Sequence, residues 1–206
     1  MAIPKKTQNY LDKKMAKYDA LAHKTVYTAY DAAQTLRKEL KEIAKSLLIA
    51  TDKAYVIVVV PAHMRIDLAK LKKALKAKKV SIPKEQLMVK VFKVKPGSMT
   101  AFGGLHKVEV WADKSLLKVK DIILSAGNFT DSVRMKTKDF IDMEEAKLAN
   151  FAKAGGYKLQ VKSKKKKTTK KKTTKKKPAK KKVAKRKPAK KKVVKKKSAK
   201  KTGKKK

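Results

Sequence analysis

Residues 45–60 read KSLLIATDKAYVIVVV, two short apolar runs separated by Thr51-Asp52-Lys53. Both runs, 45–50 and 54–60, have the length and the apolar content of strands, so the polar tripeptide predicts a hairpin-like connection. The second run is apolar at every position, which is typical of a central strand covered on both faces. We therefore expect a sheet built around this hairpin, with other layers packed on both of its sides.

Helical and strand patterns alternate on both sides of the hairpin. Thr28 and Asp31 fit the Thr-x-x-acid signature of a helix start, and apolar periodicity extends that helix to about Ile43. Apolar spacing also predicts an amphipathic helix within residues 8–22, carried by Leu11, Met15, Tyr18 and Leu21. The remaining predictions are strands at 24–27, 107–112, 119–124 and 132–135, and helices at 67–79, 83–87 and 137–149, the last capped by Thr137. Together these elements predict an α+β fold with a mixed sheet.

Charge is distributed unevenly along the chain. The formal net charge is +44, and residues 162–206 contribute +28 of it, with 28 Lys or Arg and no acidic residue. This segment repeats Pro-Ala-Lys-Lys-Lys-Val at 178–183 and 188–193 and contains no aromatic residue, so we expect a disordered tail. Its composition is similar to the tails of linker histones and of bacterial histone-like proteins. It predicts salt-dependent, non-specific binding of DNA or RNA by such residues as Lys164, Lys165, Lys180, Lys190 and Lys200.

Several classes of protein are disfavoured by what the sequence lacks. There is no cysteine, and His23, His63 and His106 are single and widely spaced, so we expect no metal site and no cofactor. The longest strongly apolar run, 54–62, is far shorter than the roughly 20 residues of a membrane span, and no signal peptide is visible. We therefore expect a cytoplasmic protein with no membrane partner; in a eukaryote the lysine runs could also direct it to the nucleus.

Six short motifs occur in an order that resembles the YbaK/EbsC-like family, which comprises the prolyl-tRNA editing domain and its freestanding relatives. The resemblance covers roughly residues 20–145. It rests on the combination of the motifs, since none of them is specific alone. The motifs are Thr28-Ala29-Tyr30-Asp31-Ala32-Ala33, Ala44-Lys45-Ser46-Leu47, Val58-Val59-Val60-Pro61 with Ile66-Asp67-Leu68, Gly97-Ser98-Met99-Thr100-Ala101-Phe102-Gly103, Ala112-Asp113-Lys114-Ser115-Leu116-Leu117 and Ser125-Ala126-Gly127-Asn128.

The resemblance implies a compact, barrel-like mixed sheet and hydrolysis of the ester that links a wrong amino acid to tRNA. It places the key lysine of the family on Lys45. It also implies a substrate-binding set composed of Thr28, Ser46, Gly97, Ser98, Thr100, Phe102, Gly103, Gly127 and Asn128. The chain departs from the family at Thr100-Ala101, which stand where prolines are expected; since proline presets the backbone, we expect a looser loop here.

Two hypotheses about function follow from these patterns. The first is a trans-editing aminoacyl-tRNA deacylase that acts on tRNA(Pro)-type substrates, alone or with a synthetase, its tail increasing the affinity for nucleic acid. The second is a non-catalytic nucleic-acid or nucleoid-binding protein that reuses the fold, which the Thr100-Ala101 departure motivates. The expected organisation is a helical arm at 1–22, the editing domain at 23–150, a linker at 151–161 and the tail at 162–206.

Some residues have two interpretations from sequence. Without a nucleophile-elbow context for any serine, attack by water or by a ribose hydroxyl is favoured over a covalent intermediate. Trp111 and Phe102 could stack on a terminal adenine, although core packing is the default for aromatic residues. Asp113 is interpreted first as a turn or cap residue and second as a site residue. The lysine-rich surface of 70–79 suits the acceptor stem of tRNA and equally suits a solvated face.

Overall fold

The hairpin predicted at residues 45–60 is confirmed and lies in the middle of the largest sheet. A computed structural model describes residues 3–155; the tail at 162–206 and most of the expected linker lie outside these residues. The helices are α1 (Lys5–Lys13), α2 (Ala29–Leu36), α3 (Leu68–Ala74), α4 (Glu85–Leu87) and α5 (Thr137–Met143). The strands are β1 (Asp19–Ala22), β2 (Ala44–Thr51), β3 (Tyr55–Pro61), β4 (Met64–Ile66), β5 (Val80–Ser81), β6 (Glu109–Asp113), β7 (Asp121–Ser125), β8 (Asp131–Lys136), β9 (Lys147–Ala149) and β10 (Ala152–Ala154).

The strands of residues 3–155 form three sheets. The largest has the order β5-β2-β3-β6-β9, in which β2 pairs antiparallel with β3, and β3, β6 and β9 run parallel. A second sheet has the order β1-β8-β7, and a third pairs β4 with β10. A parallel bridge between Ile43 and Ile123 connects the start of β2 to β7. The predicted α+β class with a mixed sheet is therefore confirmed.

β3 is buried on both faces, as its uninterrupted apolar run predicts. One face carries Ile57 and Val59 into a large core cluster that also contains Phe102 and Phe140. The other face carries Val58 and Val60 into a second cluster with Leu71 of α3 and Phe151. All of these side chains are fully buried, so truncating any of them would leave a void in the core.

The N-terminal predictions are wrong in detail. The helix spans Lys5–Lys13 and not 8–22, since Met15 has a φ of +51° and is 88 % exposed. The strand forms at Asp19–Ala22, where it pairs with β8, and residues 24–27 contain no strand. Residues 3–22 belong to the fold and are not an arm outside it, because Leu11 is fully buried in the large core cluster.

Two predicted helices end earlier than the sequence predicts. α2 has the predicted capping box between Thr28 and Asp31, but it stops before Arg37, whose φ is +53°. α5 stops at Met143, and residues 147–149 pair with β6 as β9. Thr137 does not cap α5; it lies in the first turn and donates to the carbonyl of Val119.

The C-terminal boundary also differs from the prediction. Phe151 is fully buried and β10 pairs with β4, so the first residues of the expected linker are part of the folded structure. α3 covers Leu68–Ala74 only, within the predicted 67–79, and Leu68 is largely exposed. In residues 3–155 no helix is long and apolar enough to cross a membrane.

Candidate active site

A cavity of about 360 Å³ opens beside the free edge of β2. Its walls come from β2, the start of α2, the segment around Pro83, the loop at Gly97 and the turn that begins β8. The predicted residues Thr28, Lys45, Ser46, Gly97 and Asn128 all line it. Four segments that are far apart in the sequence are thus brought together at one cavity.

Strand pairing explains why backbone groups of β2 are available at this cavity. The carbonyl of Ile43 accepts from Ala62 and the amide of Thr51 donates to Ala54, so the odd-numbered residues of β2 bond to β3. In an antiparallel pair the alternate residues direct their amides and carbonyls to the other edge. On that edge β5 pairs only with Ala50 and Thr51.

The backbone groups of Ser46 and Leu48 therefore face the cavity. Both residues line it, and their amides are preorganised donors because the strand is held along its whole length by β3. Fixed N–H groups of this kind can stabilise the negative charge that develops on the carbonyl oxygen of an ester under attack.

Lys45 lies next to Ser46 at the start of β2, where it pairs with Val60 of β3. Its Nζ donates to the carbonyl of Met64 at 3.1 Å. Burial lowers the pKa of Lys45 from its usual value, and the nearby positive charge of Arg65 lowers it further. One of the three ammonium protons is used on Met64, so the amine can still donate to a phosphate or a carbonyl oxygen of a ligand.

The hydroxyl of Ser46 is used within the fold. Its Oγ donates to the carbonyl of Met99 at 2.6 Å, so it ties β2 to the glycine-bearing loop. Gly97 of that loop has a φ of +85°, and a Cβ added there would contact Phe129 and the carbonyl of Tyr27 at 3.4 Å. The loop is therefore fixed against β2 at one point and against the Tyr27–Phe129 ring pair at another.

The second half of the loop turns into the core. Phe102 is fully buried, with its ring 6.2 Å from that of Tyr10 and 6.4 Å from that of Phe140. Gly103 is packed so tightly that an added Cβ would collide with the carbonyl of Val108. Neither residue lines the first cavity, and core packing accounts for both.

The remaining predicted residues lie around the turn between β7 and β8 or behind the loop. Asn128 accepts from the amide of Asp131 through Oδ1 and donates to its carboxylate through Nδ2. Ser98, Thr100 and Gly127 do not line the first cavity; together with Asn128 they line a second one of about 510 Å³. Thr28 reaches the first cavity, but its hydroxyl accepts from Asp31 as a helix cap.

Two other sequence interpretations are settled by contacts. Asp113 is confirmed as a cap: its carboxylate accepts from Ser115 and from the amides of Phe151 and Ala152, both at 2.7 Å. Trp111 packs with the second core cluster, away from the cavity, and donates to Glu109.

The cavity also contains a polar wall that sequence reasoning missed. Nδ1 of His23 lies 2.8 Å from the carbonyl of Lys24, and a carbonyl can only accept, so Nδ1 carries the proton. In the neutral imidazole, Nε2 then accepts from Ser132, whose Oγ lies 2.9 Å away. Because this bond uses the proton of Ser132, its hydroxyl offers only lone pairs to a ligand.

Asp131 adds a negative charge to this wall. It is only 7 % exposed, and both hydrogen bonds that its carboxylate accepts within residues 3–155, from Asn128 and Thr130, go to Oδ2. His23 and Ser132 are 109 positions apart, so no local spacing could have paired them. The residues that line the cavity thus include a lysine and several hydrogen-bond acceptors, with free backbone amides along β2.

Comparison with known proteins gives the same family that the motif order indicates. Residues 23–143 match the model of the aminoacyl-tRNA editing domain. The chain is 25% identical over 101 residues to a proline–tRNA ligase of Macrococcus caseolyticus and 28% identical to that of Staphylococcus saprophyticus; each match covers 49% of this chain. It spans only 18% of the length of either ligase.

Solved structures share the fold. A "putative trans-editing enzyme for prolyl tRNA synthetase" superposes with a TM-score of 0.67 at 18% identity, covering 73% of this chain and 96% of that one. A hypothetical protein superposes with a TM-score of 0.68 at 17% identity, covering 72% and 99%. With the match across residues 23–143, the chain belongs to the aminoacyl-tRNA editing domain family.

Proposed function

We propose that this protein is a trans-editing deacylase that hydrolyses the ester between a mischarged amino acid and a tRNA(Pro)-type tRNA. The observation that carries the proposal is the cavity beside β2, where the Lys45 amine, the free amides of Ser46 and Leu48 and the Asp131–Ser132 wall converge. Such an arrangement suits an aminoacyl ester, which has an anionic phosphate nearby, a carbonyl to polarise and an ammonium group. We propose that the reaction occurs in the cytoplasm.

Each group of the ester has a suitable partner at the cavity. Lys45 would bind the phosphate of the terminal nucleotide or the ester carbonyl, and the amides of β2 would stabilise the oxyanion. The α-ammonium group would bind at the polar wall, since Asp131 is negative and Ser132 presents acceptors only. Two charged poles would thus orient the ester before attack.

The nucleophile is proposed to be water or a ribose hydroxyl. Ser132 forms a bond with His23 that resembles a nucleophile–base pair, but no carboxylate orients the imidazole; a backbone carbonyl does. Ser132 also lies within a strand that pairs with neighbours on both sides, at Leu21 and Ser125, and not at a sharp turn that would expose its hydroxyl. These contacts favour a role in positioning for the pair.

A panel of mischarged tRNAs tests the proposal. The full-length protein should deacylate tRNA(Pro) charged with at least one of Ala, Cys or Ser. It should hydrolyse the same ester at least about tenfold more slowly when the amino group of the amino acid is acetylated. Acetylation removes the positive charge that the acceptor wall would bind, so ester binding would lose about the free energy of one buried ionic hydrogen bond. The readout is the loss of labelled amino acid from tRNA over time. Intact esters across the whole panel would refute the deacylase proposal.

The tail is proposed to increase affinity for tRNA and to play no part in the chemistry. Deleting residues 162–206 should raise KM for charged tRNA at low salt and flatten its salt dependence, because 28 cationic residues are lost. The kcat should stay within about twofold of that of the full-length protein. Kinetics of both forms at several salt concentrations provide the measurement.

The second candidate function is a non-catalytic nucleic-acid or nucleoid-binding protein. Thr100-Ala101, in place of the prolines expected from the family resemblance, is the observation that favours it. On this alternative the tail deletion abolishes nearly all binding of DNA and RNA alike, and no ester is hydrolysed. A truncated protein that still prefers charged over uncharged tRNA would exclude it.

A further inference from the structure

We propose that the second cavity, of about 510 Å³, binds the single-stranded nucleotides that precede the terminal adenosine of the substrate RNA. This inference rests on the proposed function, since it assigns the first cavity to the esterified end of the same RNA. Its ligand chemistry is a phosphodiester with an unstacked base. Three observations, on charge, on an unpaired hydroxyl and on the wall between the cavities, support it.

The first observation is the combination of cations and aromatic rings. Lys6, Lys93 and Lys95 are exposed at this cavity, and the rings of Phe92 and Phe129 also line it. Single-stranded RNA is recognised by cations that contact phosphates and by aromatic rings on which unpaired bases stack. No acidic residue of the described part of the chain lines the cavity, so its lysines have no local counter-charge there.

The second observation concerns Thr100. This residue is 4 % exposed and lines the cavity, and its Oγ1 is the buried side-chain polar atom in residues 3–155 that has no hydrogen-bond partner. Leaving a buried hydroxyl unpaired is unfavourable, so a partner from a bound ligand would give the residue a function. Thr100 is also the residue that replaces an expected proline of the family loop, and proline could make no such bond.

The third observation is that the two cavities share one wall. Asn128 lines both, Gly97 lines the first while its neighbour Ser98 lines the second, and the Tyr27 and Phe129 rings stand 5.2 Å apart on the two sides. A continuous RNA strand that leaves the first cavity over this wall would enter the second. The ester and the preceding nucleotides would therefore be separated by the turn between β7 and β8 and by the loop at Gly97.

The test compares two substrates that carry the same ester. One is the aminoacyl-adenosine, which reaches only the first cavity, and the other is the aminoacylated tetranucleotide ACCA, which extends into the second. In the full-length protein, the double variant Lys93→Ala, Lys95→Ala should raise KM for the tetranucleotide by about tenfold and leave the adenosine ester within about twofold. The matched control is Lys118→Ala, Lys120→Ala, which removes the same charge from exposed positions that line neither cavity.

A substitution at Thr100 tests the unpaired hydroxyl separately. Thr100→Val keeps the shape and removes the hydroxyl, so the melting temperature should stay the same or rise while KM for the tetranucleotide rises several-fold. A lower melting temperature, or an unchanged KM, would show that the hydroxyl serves the folded state and not the RNA.

The outcomes separate this inference from the proposed function. Equal effects of the two double variants, or equal effects on both substrates, would overturn the second cavity while leaving the deacylase intact. If the wild type hydrolyses neither ester, the deacylase fails, and binding of uncharged fluorescent ACCA then tests the cavity alone. Loss of that binding in the Lys93, Lys95 variant but not in the control would support the site; equal binding by both would overturn it.

Discussion

Lys45→Ala is expected to lower kcat/KM for a mischarged tRNA by about 10²- to 10³-fold, the usual loss when one preorganised donor is removed from a charge-stabilising site. The amine is partly buried at the cavity and is held by the carbonyl of Met64, so it is positioned before substrate arrives. The stability should change little, because the substitution also removes a partly buried charge that Arg65 repels.

The matched control for this experiment is Lys53→Ala. It removes the same charge from the same hairpin, at an exposed position in the connection between β2 and β3. Single-turnover deacylation at saturating protein separates the chemical step from tRNA binding, to which the many other lysines contribute. Equal activity of the Lys45 variant and the wild type would contradict the assigned role. Equal losses of activity in the Lys45 and Lys53 variants would mean that net charge, and not the position of the Lys45 amine, accounts for the effect.

Asp113→Asn is expected to lower the free energy of unfolding by about 3 kcal/mol, more than any conservative surface substitution. The Asp113 carboxylate is buried at the end of β6 and accepts from the amides of Phe151 and Ala152 as well as from Ser115. An asparagine would direct an NH₂ group at one set of these donors and leave buried amides unpaired. Urea unfolding with a two-state fit provides the measurement.

The loss of stability caused by Asp113→Asn is also expected to depend on pH. Burial raises the pKa of Asp113, but the hydrogen bonds from Ser115, Phe151 and Ala152 outweigh it and hold the pKa below the usual value. A carboxylate with a lowered pKa in the folded state stabilises the protein above about pH 4 and loses that contribution as the pH falls through the folded value. The stability difference between wild type and Asp113→Asn should therefore shrink below about pH 4.

The control for both measurements is Asp142→Asn. Asp142 is exposed on α5, so its substitution should stay within about 0.5 kcal/mol of the wild type at every pH. A loss of similar size in both variants would mean that net charge, and not the Asp113 hydrogen bonds, governs the effect.

Local signals predicted the elements whose causes are local. The β2–β3 hairpin follows from two apolar runs and a polar tripeptide, and the start of α2 follows from the reciprocal bonds of Thr28 and Asp31. The ends of α2 and α5 depend on other causes: Arg37 adopts a left-handed conformation, and residues 147–149 pair with a strand nearly 40 positions away. Apolar periodicity continues past α2 because Leu40 and Ile43 pack into a third core cluster in a non-helical conformation.

The candidate site shows the same difference between what sequence patterns predict and what only the fold brings together. Motif order brought Lys45, Gly97 and Asn128 to one cavity, because the resemblance carries information about the fold that no single motif has. It also placed Phe102 and Gly103 in the site, although they fill the core, since a glycine that permits close packing looks the same in sequence as one that admits a ligand. His23 and Ser132 were missed because only the pairing of β1 with β8 makes them neighbours.

The free edge of β2 has a further consequence, for solubility. Unpaired amides and carbonyls along a strand are a template on which another chain can add a strand and begin to aggregate. Here the edge lines a cavity whose other walls include Pro83, Met88 and the loop at Gly97. The recess therefore protects the edge against intermolecular strand addition.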